Sequence, residues 1–301
     1  MKKVYYSLMA LSLITASCSD NNSVINEEIG LNAISSVNAT LENADTRAYF
    51  TSETTLAWEI YDNITVFSDT KKKPTTFFKA EKEDKVVFYG NEVKGNTFYA
   101  IYPQVNNNNN GYIDPAVKGL VHVMFDPWDN SGDGTKPGNN NIYMAAKSTN
   151  NDFTFKQTYG VIRLGLTGNM QVNDINLMSN NQEKISGEAI IDLTADEPVL
   201  VIDSQSQYAY TYKGVSVYET MNPGTTHYVY FKLPPTNFTK GFTVSIHCQN
   251  PDTGEGYSIN KTTTTPVEIK RGKIKAYKAI NVDPLTLTTG NNDFIEENVE
   301  W

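Results

Sequence analysis

Apolar residues recur at every second position along much of this chain, in short runs separated by turns. From Ile29 to Leu41 the odd positions read Ile29, Leu31, Ala33, Ser35, Val37, Ala39 and Leu41, and the even ones Gly30, Asn32, Ile34, Ser36, Asn38 and Thr40. A period of two puts one set on a buried face and the other in water, so this run predicts a half-buried β-strand. Similar runs predict strands at 55–58, 64–67, 75–80, 86–89, 97–102, 119–125, 153–155 and 159–166. After Gly168-Asn169 they continue at 172–178, 185–193, 199–202, 214–217, 228–233, 242–249, 256–260 and 274–282. Tyr61-Asp62-Asn63, Pro234-Pro235 and Pro251-Asp-Thr-Gly254 are turn signals. Asn106–Asn110 and the Gly/Asn/Asp/Pro-rich stretch 126–141 are loops. No segment shows the 3.6-residue period of an amphipathic helix.

Many short strands at regular spacing predict an all-β chain of two tandem β-sandwiches. The N-terminal sandwich spans 29–167 and includes a removable first strand within 29–47. The C-terminal sandwich spans 168–301, with a candidate donor-strand tail at 283–301. In that tail Leu285-Thr-Leu287 and Ile295-Glu-Glu-Asn-Val299 alternate beside Gly290-Asn-Asn292. Eighteen Tyr and 13 Phe support the strand reading.

The N-terminus reads differently. Lys2 and Lys3 precede a mostly apolar stretch from Val4 to Ile14, too short to span a bilayer, so residues 1–18 predict a secretory signal. Ala16 and Ser17 lead into Cys18 as in a lipobox, which makes Cys18 a lipidation (palmitate) site and the mature N-terminus. Thr15 stands where such a box usually has Leu, and ordinary cleavage near Ala16 is the competing reading. Residues 19–28 form a polar, acidic tether. With Cys18 lipidated, Cys248 is left alone, which excludes an intrachain disulfide and predicts a buried core thiol. A net charge of −9 argues against a nucleic-acid partner.

Chemistry finds little support. His122, His227 and His247 match no zinc, triad or phosphate-loop pattern, His122 and His247 read as strand residues, and no enzyme is expected. No cofactor is implied except at one place. Asp129-Asn-Ser131-Gly-Asp133-Gly134 matches the first half of an acidic calcium loop, with Asp129, Ser131 and Asp133 as candidate ligands. Asn140 stands where such a loop needs its bidentate Glu. Trp58 alternates with Leu56 and is expected in the core, whereas Trp128 either plugs its own sandwich or contacts a sugar or protein.

One arginine carries a functional signal. Arg47 follows the first strand, and no Lys or Arg lies between Lys3 and it. A single trypsin-like cut between Arg47 and Ala48 would release that strand and expose the row it covered. Six apolar side chains on its odd face would return about 10 kcal/mol on reburial. Arg163 and Arg271 are the other arginines; Arg163 sits within a strand pattern, and Arg271, before Gly272, is the expected competing site.

The order Thr46-Arg47, Phe50, Leu56-Ala-Trp58, Asp62-Asn-Ile64-Thr-Val-Phe67 and Phe98-Tyr-Ala-Ile-Tyr102-Pro103 resembles the fimbrillin family, the subunits of type V pili in Bacteroides-type bacteria. Ile60-Tyr61 departs from the family's usual Gly before the Asp. The resemblance implies two transthyretin-like β-sandwiches in an outer-membrane lipoprotein precursor that supports adhesion. An arginine-specific protease would cut after Arg47. A strand from another pilin subunit would then fill the groove left by Ile29, Leu31, Ala33, Val37 and Leu41. The alternative is a monomeric surface lipoprotein, or a tip adhesin, binding glycan or host protein through Trp128 and the loops at 104–119 and 126–141.

Overall fold

The computed structural model describes residues 31–42, 49–50, 56–59, 61–70, 73–80, 85–105, 111–114, 117–130, 137–139, 141–263, 265–283 and 296–297. Among them every regular element is a strand, so the all-β class predicted by the patterning is observed. The first thirteen in chain order are β1 (Asn32–Leu41), β2 (Tyr49–Phe50), β3 (Leu56–Ala57), β4 (Asn63–Ser68), β5 (Thr75–Lys79), β6 (Val87–Gly95), β7 (Phe98–Tyr102), β8 (Gly111–Ile113), β9 (Leu120–Phe125), β10 (Trp128–Asn130), β11 (Met144–Ser148), β12 (Asp152–Gln157) and β13 (Gly160–Thr167). Then follow β14 (Gln171–Ser179), β15 (Ser186–Asp192), β16 (Leu200–Ile202), β17 (Ala209–Tyr210), β18 (Tyr212–Thr220), β19 (His227–Leu233), β20 (Thr236–Phe238), β21 (Phe242–Gln249), β22 (Gly256–Thr262), β23 (Val267–Ile269), β24 (Ile274–Asn281) and β25 (Glu296–Glu297).

Seven strands close on themselves in the order β1-β12-β11-β7-β4-β5-β6. Their inward residues, with those of β9 and β15, build the first core around Phe67, Phe77, Phe88, Phe98, Phe153 and Phe155. The second core lies between the sheet β10-β18-β14-β21-β22 and the sheet β19-β13-β24-β25. In β21 the alternation is strict: Phe242, Val244, Ile246 and Cys248 are buried while the residues between them are partly exposed. Cys248 is thus a buried free thiol, whose ionisation burial pushes up.

The strand β13 explains how the two cores meet. Val161 belongs to the first core, whereas Ile162, Leu164 and Leu166 belong to the second. Its neighbours divide the same way: Tyr230 and Ala276 face the first core, Phe231 and Tyr277 the second. A sheet buried on both faces needs a near-continuous apolar run, and Val161-Ile-Arg-Leu-Gly-Leu166 supplies one. Residues 186–202, which lie C-terminal to the expected division at 167/168, return to the first core through the pairing of β15 with β9.

Candidate functional site

The first strand sits between two partners. Its beginning runs antiparallel to β6, with Val37 opposite Phe88, and its end runs parallel to β12, with Leu41 opposite Phe155. Side chains reinforce the pairing. Asn38 Nδ2 donates to Asp152 Oδ1 at 2.7 Å, and the hydroxyls of Thr40 and Thr154 meet at 3.1 Å.

The side chains that fill the core from β1 differ from the odd row expected. The register with β6 shifts between Ile34 and Ser36, where one residue of β1 stands against three of β6, and the inward row of β1 changes across this break. Before it the even residue Ile34 is buried and Ala33 is exposed; after it the odd residues Val37 and Ala39 are buried. Leu31 and Leu41 are half-buried. The expected contribution of Ala33 is therefore corrected, and Ile34 takes the place that the alternation gave to Ala33. Ile34, Val37, Ala39 and part of Leu41 correspond to about 4–8 kcal/mol of burial, below the sum for a full odd row.

Trp58 lies under this strand. Its ring meets those of Phe88 at 5.0 Å, Phe155 at 5.2 Å and Tyr102 at 5.2 Å, all edge-on. Phe88 and Phe155 are the register partners of Val37 and Leu41. One indole thus braces both strands that flank β1. Asp62 completes the group: it accepts from the Tyr102 hydroxyl at 2.8 Å and from the Glu59 N–H. Burial raises the pKa of both Asp62 and Tyr102. The residues of the ordered Trp…Asp…Tyr motif therefore converge on the seat of the first strand.

A second feature closes the strand's end. The Glu42 N–H donates to the Phe155 carbonyl at 2.9 Å. The Glu42 carboxylate receives two hydrogen bonds from Arg271, from Nη1 at 2.6 Å and Nη2 at 2.8 Å. Arg271 also donates to Gln157 O at 3.0 Å and pairs with Glu197. Its hydrogen bonds to Glu42 hold the guanidinium pKa above its usual value, against the opposing effect of burial. The residue expected as a competing cleavage site is thus engaged on all sides, with a side chain 15% exposed. Arg163 is buried, its guanidinium 4.4 Å from the centre of the Tyr228 ring.

Cys18, Ile29, Arg47, Ala48, Ser131 and Asp133 lie outside the described residues, as do the signal segment, the tether and most of the 283–301 tail. Of that tail, Glu296 and Glu297 pair with Tyr277 and Ala276 of β24. His122, His227 and His247 all stand on strands; His247 Nδ1 meets Asp174 at 2.7 Å, and His122 stacks on Tyr112 at 4.4 Å.

Asp129 has surroundings unlike those expected of a calcium ligand. It is 1% exposed, with Lys213 Nζ 3.3 Å and Lys232 Nζ 3.6 Å from its two oxygens. Burial pushes the Lys213 ammonium down to about 8 and lowers that of Lys232. Asp129 thus belongs to a buried polar cluster, while Ser131 and Asp133, the other two candidate calcium ligands, lie outside the described residues. Trp128 neither plugs the first core nor stands free: its ring covers Gly214 of β18, where a side chain would collide with it, and remains 42% exposed. The sequence signal for the cluster was a lysine inside each of two apolar strands, Tyr212-Lys213-Gly-Val and Tyr230-Phe-Lys232-Leu.

No model of a known protein family matches the chain, and no curated protein does. Among solved structures, a candidate cell adhesion protein from Bacteroides ovatus is 14% identical, with a TM-score of 0.50 over 87% of this chain and 94% of that one. A candidate cell adhesion protein from Bacteroides fragilis is 10% identical, with a TM-score of 0.40 over 89% and 96%. The tip fimbrial protein Mfa3 from Porphyromonas gingivalis, with a C-terminal truncation, is 13% identical, with a TM-score of 0.38 over 82% and 94%. In fold, the chain is similar to the B. ovatus protein across most of both molecules.

Proposed function

We propose that this protein is a structural subunit of a type V pilus, made as a lipoprotein precursor through Cys18 and anchored at the outer membrane. In this reading a cut after Arg47 detaches the first strand, and a strand from another subunit replaces it. The observation that carries the proposal is the position of β1. It is paired along both edges within a closed sheet, and the chain leaves it toward Arg47 only a few residues beyond Leu41. Its removal would leave two unpaired edges and an apolar row, which is the situation strand addition resolves. Head-to-tail addition does not close and so builds a filament. The fold likeness to a candidate cell adhesion protein supports the same reading.

A capped, terminal position in the fibre is the second reading, favoured by the pairing of Glu296 and Glu297 with β24 of their own sheet. One digestion separates these cases. The chain from residue 19 onward is treated with an arginine-specific protease and examined on unboiled gels with mass spectrometry of the products. A stalk subunit gives a single cut after Arg47 and a ladder of multimers, and a terminal subunit gives the cut without the ladder. An uncut chain would refute maturation at Arg47, and Arg47→Ala supplies the resistant control.

A further inference from the structure

The cluster around Asp129 has no part in strand exchange, yet its parts are those of an acyl-transfer reaction. Lys213 is 0% exposed, with its Nζ 4.2 Å from the centre of the Phe125 ring and 3.3 Å from Asp129 Oδ2. Asn141 Nδ2 donates to the other carboxylate oxygen, Oδ1, at 2.6 Å. The same two nitrogens share a second acceptor, the carbonyl of Asp126, which Asn141 Nδ2 reaches at 3.4 Å. The Asn141 side-chain oxygen accepts from the Asp126 N–H at 3.0 Å. The Lys213 amine and the Asn141 amide nitrogen thus share two acceptors, the Asp129 carboxylate and the Asp126 carbonyl.

We propose that Lys213 and Asn141 are joined by an intramolecular amide bond formed by the protein itself, with Asp129 as the proton carrier. Burial favours the neutral amine of Lys213, which is the nucleophilic form. Its Nζ attacks Cγ of Asn141, and the Asp126 N–H stabilises the oxyanion that develops on Oδ1. Asp129 takes a proton from the attacking nitrogen and delivers one to Nδ2, and the Cγ–Nδ2 bond breaks. One C–N bond forms, one breaks, and ammonia leaves; no oxidant or cofactor is needed.

Charge supports Lys213 over Lys232 as the nucleophile. With both lysines protonated, the two ammonium groups and one carboxylate leave a buried excess of one positive charge. Acylation of Lys213 removes it and leaves Lys232 and Asp129 as a one-to-one pair, 3.6 Å apart. Lys232 is also held elsewhere, donating to Gly138 O at 2.9 Å. The bond would tie the residues just before β11, in the first core, to β18 of the second. A cross-link there would resist pulling along a fibre. The inference does not depend on cleavage at Arg47.

Intact-mass measurement of the folded full-length chain tests this directly. The proposal requires a mass below that of the sequence by one ammonia, about 17 Da, the group that acyl transfer releases. A tryptic digest must then contain a branched peptide joining the Asn141 and Lys213 segments, uncut after Lys213. Asn141→Ala must restore the full mass while the strand signature in circular dichroism is kept. Asp129→Ala must do the same, and if that variant does not fold, Asn141→Ala alone carries the comparison. An unmodified mass overturns the proposal. So does loss of water mapped to Asp129, which would mean a different bond.

Discussion

At Arg271 one guanidinium ties the end of β1 to the last residue of β12 and to the connection between β15 and β16, through Glu42, Gln157 and Glu197. The bidentate pair with Glu42 has the geometry that makes such bonds stronger than ordinary surface pairs. Arg271→Ala is therefore expected to lower stability by about 1–3 kcal/mol, and Arg271→Lys to recover little of it because a single ammonium cannot make both bonds. Glu197→Ala, at a carboxylate 59% exposed, should cost less than about 0.5 kcal/mol. Urea titrations of the three variants measure this directly. Glu183 gives a pH dependence. Burial is the largest single effect and pushes its carboxyl up, but the hydrogen bonds from Ser179 and Thr239 together outweigh it and hold the group at about 2, against 4.5 for the free group. It therefore contributes stability above about pH 4.5 that is lost as pH falls toward 2, and Glu183→Gln should flatten that part of an acid denaturation curve. At this scale the sequence was legible where a residue's partners are near in sequence or its type has one common use. Trp58 read as core, and Cys248 as a buried thiol. The lysine partners of Asp129 were not legible, because its glycine-rich neighbours are visible in the sequence while the lysines that face it come from β18 and β19.

Among the elements, β1 shows how far periodicity carries. The alternation from Ile29 to Leu41 identified a strand, and both of its edges proved to be paired. Its inward row changes from even to odd residues near Ser35, because the register with β6 breaks between Ile34 and Ser36, which leaves no mark on composition. The consequence is testable. Ile34→Asp buries a charge and should unfold or severely destabilise the protein, whereas Ala33→Asp, at an exposed position, should stay within about 0.5 kcal/mol of the parent. An unbroken alternation predicts the reverse order, and thermal melts of the two variants distinguish them. Other strands escaped the sequence for related reasons. The run Met144-Ala-Ala-Lys-Ser of β11 has no β-branched or aromatic residue, so its strand state comes from its neighbours β7 and β12. The strand β10 was read as loop because its three residues, Trp128-Asp129-Asn130, lie within a stretch of turn-forming residues.

For the whole molecule, the sheet built on β13 makes the two cores neighbours through a common wall. Val161 and Leu164 lie on one strand yet serve different cores. Unfolding should accordingly be one transition, with Val161→Ala and Leu164→Ala each lowering the midpoint seen by probes in both cores. Two separated transitions would show that the wall does not couple them. The sequence placed a boundary just past β13, where the pattern pauses at Gly168-Asn169, but could not show that β15 and β16 pair back with the first core. Long-range pairing leaves no local mark on composition. The assembly proposed above rests on one requirement, that β1 can be exchanged. The decisive measurement cuts the chain after Arg47, adds an isotopically labelled peptide of residues 29–41, and follows uptake by native mass spectrometry. The account predicts that the original fragment leaves and the labelled strand takes its place. A cut protein that keeps its own fragment and admits no labelled strand, even after long incubation, would contradict it.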